Sequence, residues 1–330
     1  MRSALQWSVF LPLQALGAPL GAVGGAVTGA RGLAATRRRG VSFTAAAGIE
    51  PRWLLHQLGV RSDPRTVALL RHMPAEAELG RWMMFGPAVL AHRLTGFLPP
   101  GVTPSEAGPA SLLTRRLHEL DRIFAAAVPR VEQVVVLGGG FDLRILELTE
   151  NQPVRAFEVD QAETQALKLE VMAKAGIAHE WVTYLPVDFR TESWVDTLLA
   201  DGFDPTRPTY WHWESVSLYL DEAVVRETLR KIGELSATGS ILAQDVYGTA
   251  LTRPRSPLLG AAIHSVAMIG EPVKFGLDLS GDVRAAAEGL LEGSGFTLTE
   301  HIPVRASRLR RKPVYAIVVG EKPPSPGTVS

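Results

Sequence analysis

The spacing of apolar and polar residues from residue 111 onward predicts strands that alternate with helices. Short apolar runs bounded by turn residues predict buried strands, and stretches with a helical period predict helices. The predicted elements are helix 111–128, strand 133–137, a strand ending at Asp160, helix 161–175, strand 181–187, helix 192–200, strand 209–213, helix 221–236 and strand 240–247. This alternation indicates an α/β fold, a mostly parallel sheet that is doubly wound, with helices on both faces.

The pattern changes after residue 247. Residues 248–280 form an irregular insertion rich in proline and glycine, and a helix is predicted near residues 282–292. Two further strands are predicted at residues 296–304 and 313–321. The link between them is too short for a parallel crossover, so they must pair antiparallel, unlike the end of a simple dinucleotide-binding fold.

The first forty residues carry a long apolar segment. Residues 3–30 contain no charged residue, and Arg31, Arg37, Arg38 and Arg39 follow. The segment is long enough to cross a bilayer, and a membrane anchor over residues 7–30 is the favoured interpretation. Basic residues after the segment would then keep the catalytic domain in the cytoplasm. An export signal and a soluble helical extension of a cytoplasmic protein are the alternatives.

The chain is therefore expected to have four parts. They are the apolar segment with its arginine-rich flank (1–40), a proline-interrupted helical cap (41–110), the α/β domain (111–322) and a disordered tail (323–330). In the cap, residues 80–100 are apolar and aromatic. A helix packed on the core is the favoured interpretation of that stretch, and a surface that touches lipid is the alternative.

Composition excludes several kinds of chemistry. The formal net charge is zero, which gives no electrostatic case for nucleic acid. The chain has no cysteine, so disulfides, thiol nucleophiles and cysteine-bound zinc are excluded. His179, His264 and His301 show no metal-ligand spacing to one another, and no metal site is predicted.

Glycines and acids at the predicted strand ends indicate a nucleoside cofactor. Gly138 and Gly140 fit the first two positions of the dinucleotide motif G-x-G-x-x-G, but the third position is Leu143. Acids follow several strands: Asp142, Glu158, Asp160, Asp188, Glu214 and Asp245. An opening lined with carboxylates suits a cationic ligand without phosphate, such as S-adenosylmethionine. Ordinary helix N-caps are the alternative explanation for each acid taken singly.

Three stretches carry a family resemblance: "QVVVLGGGFDLRILEL", "AFEVDQAETQALK" and "YLPVDFRTESWVDTLLADGFDPTRPTYWHWESVSLYLDEAVVRETL". They resemble the leucine carboxyl methyltransferase family of class I S-adenosylmethionine-dependent methyltransferases, over roughly residues 112–247. The resemblance implies a seven-stranded sheet. The family's glycine motif is closer to G-A-G-L-D-T-R, and its W-E-G-V motif is here Trp213-Glu214-Ser215-Val216.

The resemblance also implies a set of cofactor contacts. An arginine before the first strand would hold the cofactor carboxylate, with Arg115 the best positional match and Arg116 in reserve. The other implied contacts are Gly138, Asp160, Asp188, Phe189 and Glu214. The residues themselves add Gly140 and Glu158 as cofactor-binding candidates, since two acids end one strand about twenty residues past the glycines.

Methyl transfer to a carboxylate needs no base, whereas a hydroxyl acceptor needs one within hydrogen-bond reach. His212 is the candidate base, although a hydrogen-bonded histidine within the sheet is the favoured interpretation, and Tyr219 is a candidate for the acceptor pocket. The expected function is O-methylation of a small-molecule, lipid-like or protein C-terminal acceptor. A non-catalytic cofactor-binding scaffold at a membrane and an NAD(P)-dependent oxidoreductase are the alternatives, and Leu143 disfavours the latter.

Overall fold

A computed structural model of the chain describes residues 3–39, 42, 45, 48–73, 78–106, 111–188, 192–252, 271–306 and 312–324. The chain divides into two compact units. The first comprises residues 1–114 together with 140–142 and 166–178. The second comprises residues 115–139, 143–165 and 179–330 and contains the whole sheet.

Four helices make up most of the first unit: α1 (Ala4–Arg39), α2 (Glu50–Gln57), α3 (Pro64–Leu70) and α4 (Glu78–Thr95). In the part of the chain that the structure describes, α1 alone is long and apolar enough to cross a membrane, and it contains Pro12 and Pro19. The start of α3 is fixed by Asp63, whose side chain accepts a hydrogen bond from the Thr66 N–H over 3.3 Å.

Buried ion pairs connect these cap helices. Arg52 in α2 contacts Asp63 through Nε over 2.8 Å and Asp142 through Nη1 over 2.8 Å. Arg81 in α4 contacts Glu50 in α2 over 2.8 Å. A buried charge that loses its partner is costly, so these pairs fix how the helices meet.

The second unit contains a seven-stranded sheet. Its strands are β1 (Gln133–Leu137), β2 (Arg155–Asp160), β3 (Val182–Pro186), β4 (Thr209–Trp213), β5 (Ile241–Tyr247), β6 (Thr297–Val304) and β7 (Tyr315–Glu321). The spatial order is β3-β2-β1-β4-β5-β7-β6; β1 to β5 pair parallel, and β7 pairs antiparallel with β5 and β6. The mostly parallel sheet with an antiparallel end confirms the predicted fold.

The helices that follow along the chain are α5 (Ser111–Ala127), α6 (Arg144–Thr149), α7 (Ala162–Ala175), α8 (Trp194–Ala200), α9 (Glu222–Glu234) and α10 (Val283–Leu291). Strand β4 shows how the faces are divided, because successive strand residues point to opposite sides. Trp211 and Trp213 join one core with α8, α9 and α10. On the other side Tyr210 packs against Phe124 of α5, with ring centroids 4.6 Å apart.

The element ends differ little from the sequence expectations. β1 and β4 have the predicted bounds, and α8 begins at Trp194 because Ser193 caps it, accepting from the Asp196 N–H over 3.3 Å. The short helix α6 was not predicted. Within the insertion, residues 253–270 lie outside the described part of the chain, and so do residues 325–330 of the expected tail.

Candidate active site

The turn after β1 brings bare backbone to the carboxyl end of the sheet. Gly138 has a φ of 71°, and a Cβ atom there would overlap the side chain of Val216. A Cβ atom on Gly139 would lie 2.7 Å from the carboxyl carbon of Glu158. Gly140 also has a positive φ, of 52°. The turn therefore needs glycine, and a ligand at this edge can approach the main chain closely.

The two acids of β2 have different environments. Glu158 is fully buried and lies against Gly139 of the glycine turn. Asp160 ends the strand, is 7% exposed, and accepts a hydrogen bond from the Gln161 N–H over 2.6 Å. Glu158 therefore packs against the glycine turn. Asp160 lies at the strand end, where ligands of parallel sheets bind.

The segment after β3 is partly described. Asp188 is half-buried, and its N–H donates to the Glu192 carboxylate over 2.8 Å. Phe189, the other predicted contact here, lies outside the described residues.

Glu214, at the carboxyl end of β4, lies between two arginines. Its carboxylate is 2.9 Å from Arg116 Nε and 2.7 Å from Arg144 Nη1. Burial opposes ionisation, but Arg144 and Arg116 outweigh it and hold the pKa of Glu214 well below its usual range. Glu214 is therefore a carboxylate at neutral pH.

His212 is buried within the sheet and engaged at both ring nitrogens. Nε2 lies 2.9 Å from Arg144 Nη1, and Nδ1 lies 3.1 Å from the Tyr210 hydroxyl. Because an arginine can only donate, Nε2 accepts and the proton sits on Nδ1. Nε2 also lies 3.3 Å from the Glu214 carboxylate, but a hydrogen bond to it would need the proton on Nε2. We therefore assign Nε2 as the acceptor in the shorter contact with Arg144. A role for His212 as a base stays a prediction.

Asp245 on β5 completes the charged cluster. It is fully buried, accepts from the Ser215 N–H over 2.7 Å, and lies 3.7 Å from Arg116 Nη1. Burial raises the pKa of Asp245, and the nearby charge of Glu214 acts in the same direction against Arg116. Arg116 also donates to the hydroxyl of Tyr247 at the end of β5.

The structure therefore brings Arg116, the reserve candidate, to the ends of β4 and β5. Arg115 is half-buried on the same helix, close enough to Tyr315 of β7 for its charge to act on that phenol. Successive helical residues point about 100° apart, so the two arginines leave the helix in different directions. Tyr219 is half-buried in the short 3-10 helix Ser217–Tyr219 that follows Glu214.

Sequence reasoning gave no role to Arg144, although it ends the glycine motif. Arg144 is 2% exposed, begins α6, and contacts Asp121 over 2.5 Å as well as His212 and Glu214. The signal available in the sequence was an arginine at the end of the glycine motif, among acids that follow the predicted strands. In the residues that the structure describes, no cluster of three or more histidines or acids has the arrangement of a metal site.

The features of this sheet edge fit S-adenosylmethionine. The glycine turn at Gly138 admits close approach of a ligand to the main chain, Asp160 ends β2, and Asp188 follows β3. The contacts of these two acids with ribose and adenine stay predictions. The positive charge of Arg116 suits the carboxylate of the methionine part.

Comparison with known proteins agrees with this fit. The sequence model of the leucine carboxyl methyltransferase family matches residues 92–233. A protein of Frankia alni assigned to the S-adenosyl-L-methionine-dependent methyltransferases is 34% identical over 209 residues, which cover 59% of this chain and 70% of that protein. A protein of Rhodococcus jostii with the same assignment is 28% identical and covers 72% of this chain and 80% of its own length.

Solved structures include similar chains of low identity. An O-methyltransferase family protein of Burkholderia thailandensis has a TM-score of 0.43 and 15% identity, over 84% of this chain and 71% of its own. The seven-stranded fold and the sequence relatives define a class I S-adenosylmethionine-dependent methyltransferase. Within that class, the chain belongs to the leucine carboxyl methyltransferase family.

Proposed function

We propose that this methyltransferase transfers the methyl group of S-adenosylmethionine to an oxygen atom of its acceptor, and that this oxygen belongs to a carboxylate. The supporting observation is that the polar side chains at the end of β4 are already held in hydrogen bonds and ion pairs. Both nitrogens of His212 are engaged, and Glu214 is neutralised by Arg116 and Arg144. An acceptor that is already ionised needs no base, whereas a hydroxyl does.

When bound, S-adenosylmethionine supplies an activated methyl group. The chain's own residues bind, orient and exclude water. Asp160 and Asp188 would hold the ribose and adenine, and Arg116 would hold the methionine carboxylate. The glycine turn at Gly138 would let the cofactor lie against the main chain. Alignment of the acceptor oxygen with the methyl group would then supply most of the rate enhancement.

A matched pair of acceptors tests the proposal. Purified full-length protein is incubated with methyl-labelled S-adenosylmethionine and either dodecanoic acid or 1-dodecanol. The expected result is label in the acid only, released as methanol by alkali, because methyl esters hydrolyse in base and methyl ethers do not. Alkali-stable label in the alcohol would instead show a hydroxyl acceptor and a base that we have not identified. Calorimetric titration with S-adenosylmethionine first establishes that the protein binds its cofactor.

We also propose that α1 associates with a membrane and that the catalytic part is cytoplasmic. The length and composition of α1 support this, and so do the arginines that follow residue 30. Ultracentrifugation without detergent tests it, since the full-length protein should sediment with membranes. An export signal passes the same length test, and mass spectrometry of the mature N-terminus distinguishes the two.

A further inference from the structure

Helix α1 is joined to α4 along a seam of glycines. The two helices run antiparallel, since the Gln6 side chain donates to the Thr95 carbonyl over 3.0 Å and Gly24 lies at Gly80. A Cβ atom on Gly17 would overlap Pro87, and one on Gly24 would overlap the Gly80 carbonyl. Glycines at such spacing let two helix backbones approach closely, so α1 is half of a helix pair.

The rest of this pair exposes large apolar side chains. On α1 they are Leu5, Leu11, Leu16, Leu20, Val23 and Val27, and on α4 they are Leu79, Trp82, Leu90 and Leu94. Among the described residues, Leu199 is the sole large apolar side chain of similar exposure elsewhere. Residues 16, 20, 23 and 27 recur at helical spacing and therefore form one stripe on α1. An apolar surface concentrated in this way marks a contact site.

The charges around this surface fit an anionic lipid headgroup layer. Arg31, Arg37 and Arg38 are exposed at the end of α1, and the sequence has no acidic residue before Glu50. On α4, the Arg93 guanidinium lies over the Trp82 ring, 5.5 Å from its centroid. Tryptophan and arginine are typical of the boundary between lipid headgroups and acyl chains.

In this helix pair, the uncharged stretch of α4 is too short to cross a bilayer. In α4, only ten residues separate Arg81 from His92. They span about 15 Å, half of the roughly 30 Å hydrocarbon core. Arg81 is also buried and paired with Glu50 of α2, which ties α4 to the rest of the unit. Because α1 is packed along α4, the pair is suited to lie in one leaflet.

We propose that the α1–α4 face docks onto an anionic bilayer as an in-plane helix pair and does not span it. This deepens the proposed membrane association and changes its form. The occupant is a lipid surface, and α4 contributes Leu90 and Leu94 alongside α1. A chain that works at such a surface meets acceptors dissolved in the lipid, which suits the lipid-like class of carboxylate.

Flotation with preformed vesicles tests this docking. Full-length protein should float with vesicles that contain phosphatidylglycerol, and at least tenfold less with pure phosphatidylcholine. The double change Leu16→Glu with Leu20→Glu should abolish flotation, whereas the matched surface change Leu199→Glu should leave it intact. Equal flotation of the two glutamate variants would overturn the proposal.

Two further readouts separate the competing outcomes. A protease-sensitive tag before α1 should stay fully cleavable on sealed vesicles; protection of the tag would mean that α1 spans the bilayer. Light scattering would reveal a dimer that becomes monomeric in the Leu16→Glu, Leu20→Glu variant without vesicle binding, which would mean that a second copy covers this face. S-adenosylmethionine affinity is measured for the unmodified protein and for every variant. If the unmodified protein does not bind S-adenosylmethionine, the result contradicts the proposed enzyme function and not the docking proposal.

Discussion

Ser215 adopts the left-handed backbone conformation, with a φ of 58°, and its N–H donates to the buried carboxylate of Asp245 over 2.7 Å. The W-E-G-V motif of the leucine carboxyl methyltransferase family has glycine at this position. Glycine has no Cβ atom that would oppose such a φ. The Ser215 hydroxyl adds contacts of 3.3 Å to Asp245 and 3.4 Å to Tyr247. The bond from the Ser215 N–H to Asp245 thus fixes the turn after β4. It holds Ser215 in a backbone conformation that is strained for a residue with a Cβ atom.

Replacing Ser215 tests this relationship through stability. Ser215→Gly keeps the main-chain bond and relieves the strain, so the free energy of unfolding should stay equal or rise by up to about 1 kcal/mol. Ser215→Val, which is β-branched, should lose about 1–3 kcal/mol. Urea unfolding measures both. A glycine variant less stable than the wild type would mean that the hydroxyl contacts outweigh the strain.

Arg144 should be the most sensitive arginine of the site. It joins Asp121, His212 and Glu214 while almost completely buried, so Arg144→Met leaves buried Glu214 with one arginine partner. The expected loss is about 3–5 kcal/mol in the free energy of unfolding. The control is Arg230→Met on the surface of α9, which removes ion pairs to Glu227 and Glu234 and should change little. Equal effects in urea unfolding would contradict the role of Arg144.

Much of this site could be predicted from the sequence, and the limits have physical causes. The positions of Asp160, Asp188 and Glu214 at one edge of the sheet were predictable because apolar runs end beside them and strand ends meet at one edge of a parallel sheet. Their contacts with the cofactor stay predictions. Glu158 could not be separated from Asp160, because its burial depends on how β2 pairs with β1. Arg144 was missed because α6 has six residues, too few for a helical period. The φ of Ser215 depends on the turn and leaves no sequence pattern.

The affinity for S-adenosylmethionine tests the assignment of Asp160 at the end of β2. Asp160→Ala should weaken S-adenosylmethionine binding about tenfold to a hundredfold, since hydrogen bonds to a charged group contribute about 1.5–3 kcal/mol. Asp201→Ala, an exposed acid after α8, is the control. Unchanged calorimetric affinity in folded Asp160→Ala would make Glu158 the next candidate.

A matched pair of arginine variants decides between the two residues of α5. Arg116→Lys should raise the dissociation constant more than Arg115→Lys, because Arg116 lies at the ends of β4 and β5 and lysine lacks its planar fork. Thermal unfolding of both variants separates lost binding from lost stability. The reverse order of dissociation constants would support Arg115, the best positional match in the sequence.

Asp63 in the cap should make stability depend on acid pH. Burial opposes its ionisation, but Arg52, Arg61 and the bond from Thr66 outweigh burial and hold the pKa of Asp63 below its usual range. A depressed pKa gives stabilisation that is complete above the unfolded value of about 3.9 and is lost as pH falls through the folded pKa. The deficit of Asp63→Asn in urea unfolding should therefore shrink from about pH 6 to about pH 3. A deficit that stays constant would contradict this assignment, and Asp201→Asn serves as the control.

The glycine seam between α1 and α4 can be tested with two identical substitutions on one helix. Alanine favours a helix over glycine by about 1 kcal/mol, so Gly29→Ala, where a Cβ atom meets nothing within 4 Å, should raise stability slightly. Gly24→Ala has the same helical preference, but its Cβ atom would overlap the Gly80 carbonyl. Overpacking of this kind costs about 1–3 kcal/mol, so the net effect should be destabilising or near zero. Limited proteolysis of α1 and thermal unfolding measure the difference, with faster cleavage expected in Gly24→Ala. If the two variants behave alike, α1 does not rest on α4 in solution, and the helix pair proposed to dock on lipid does not form.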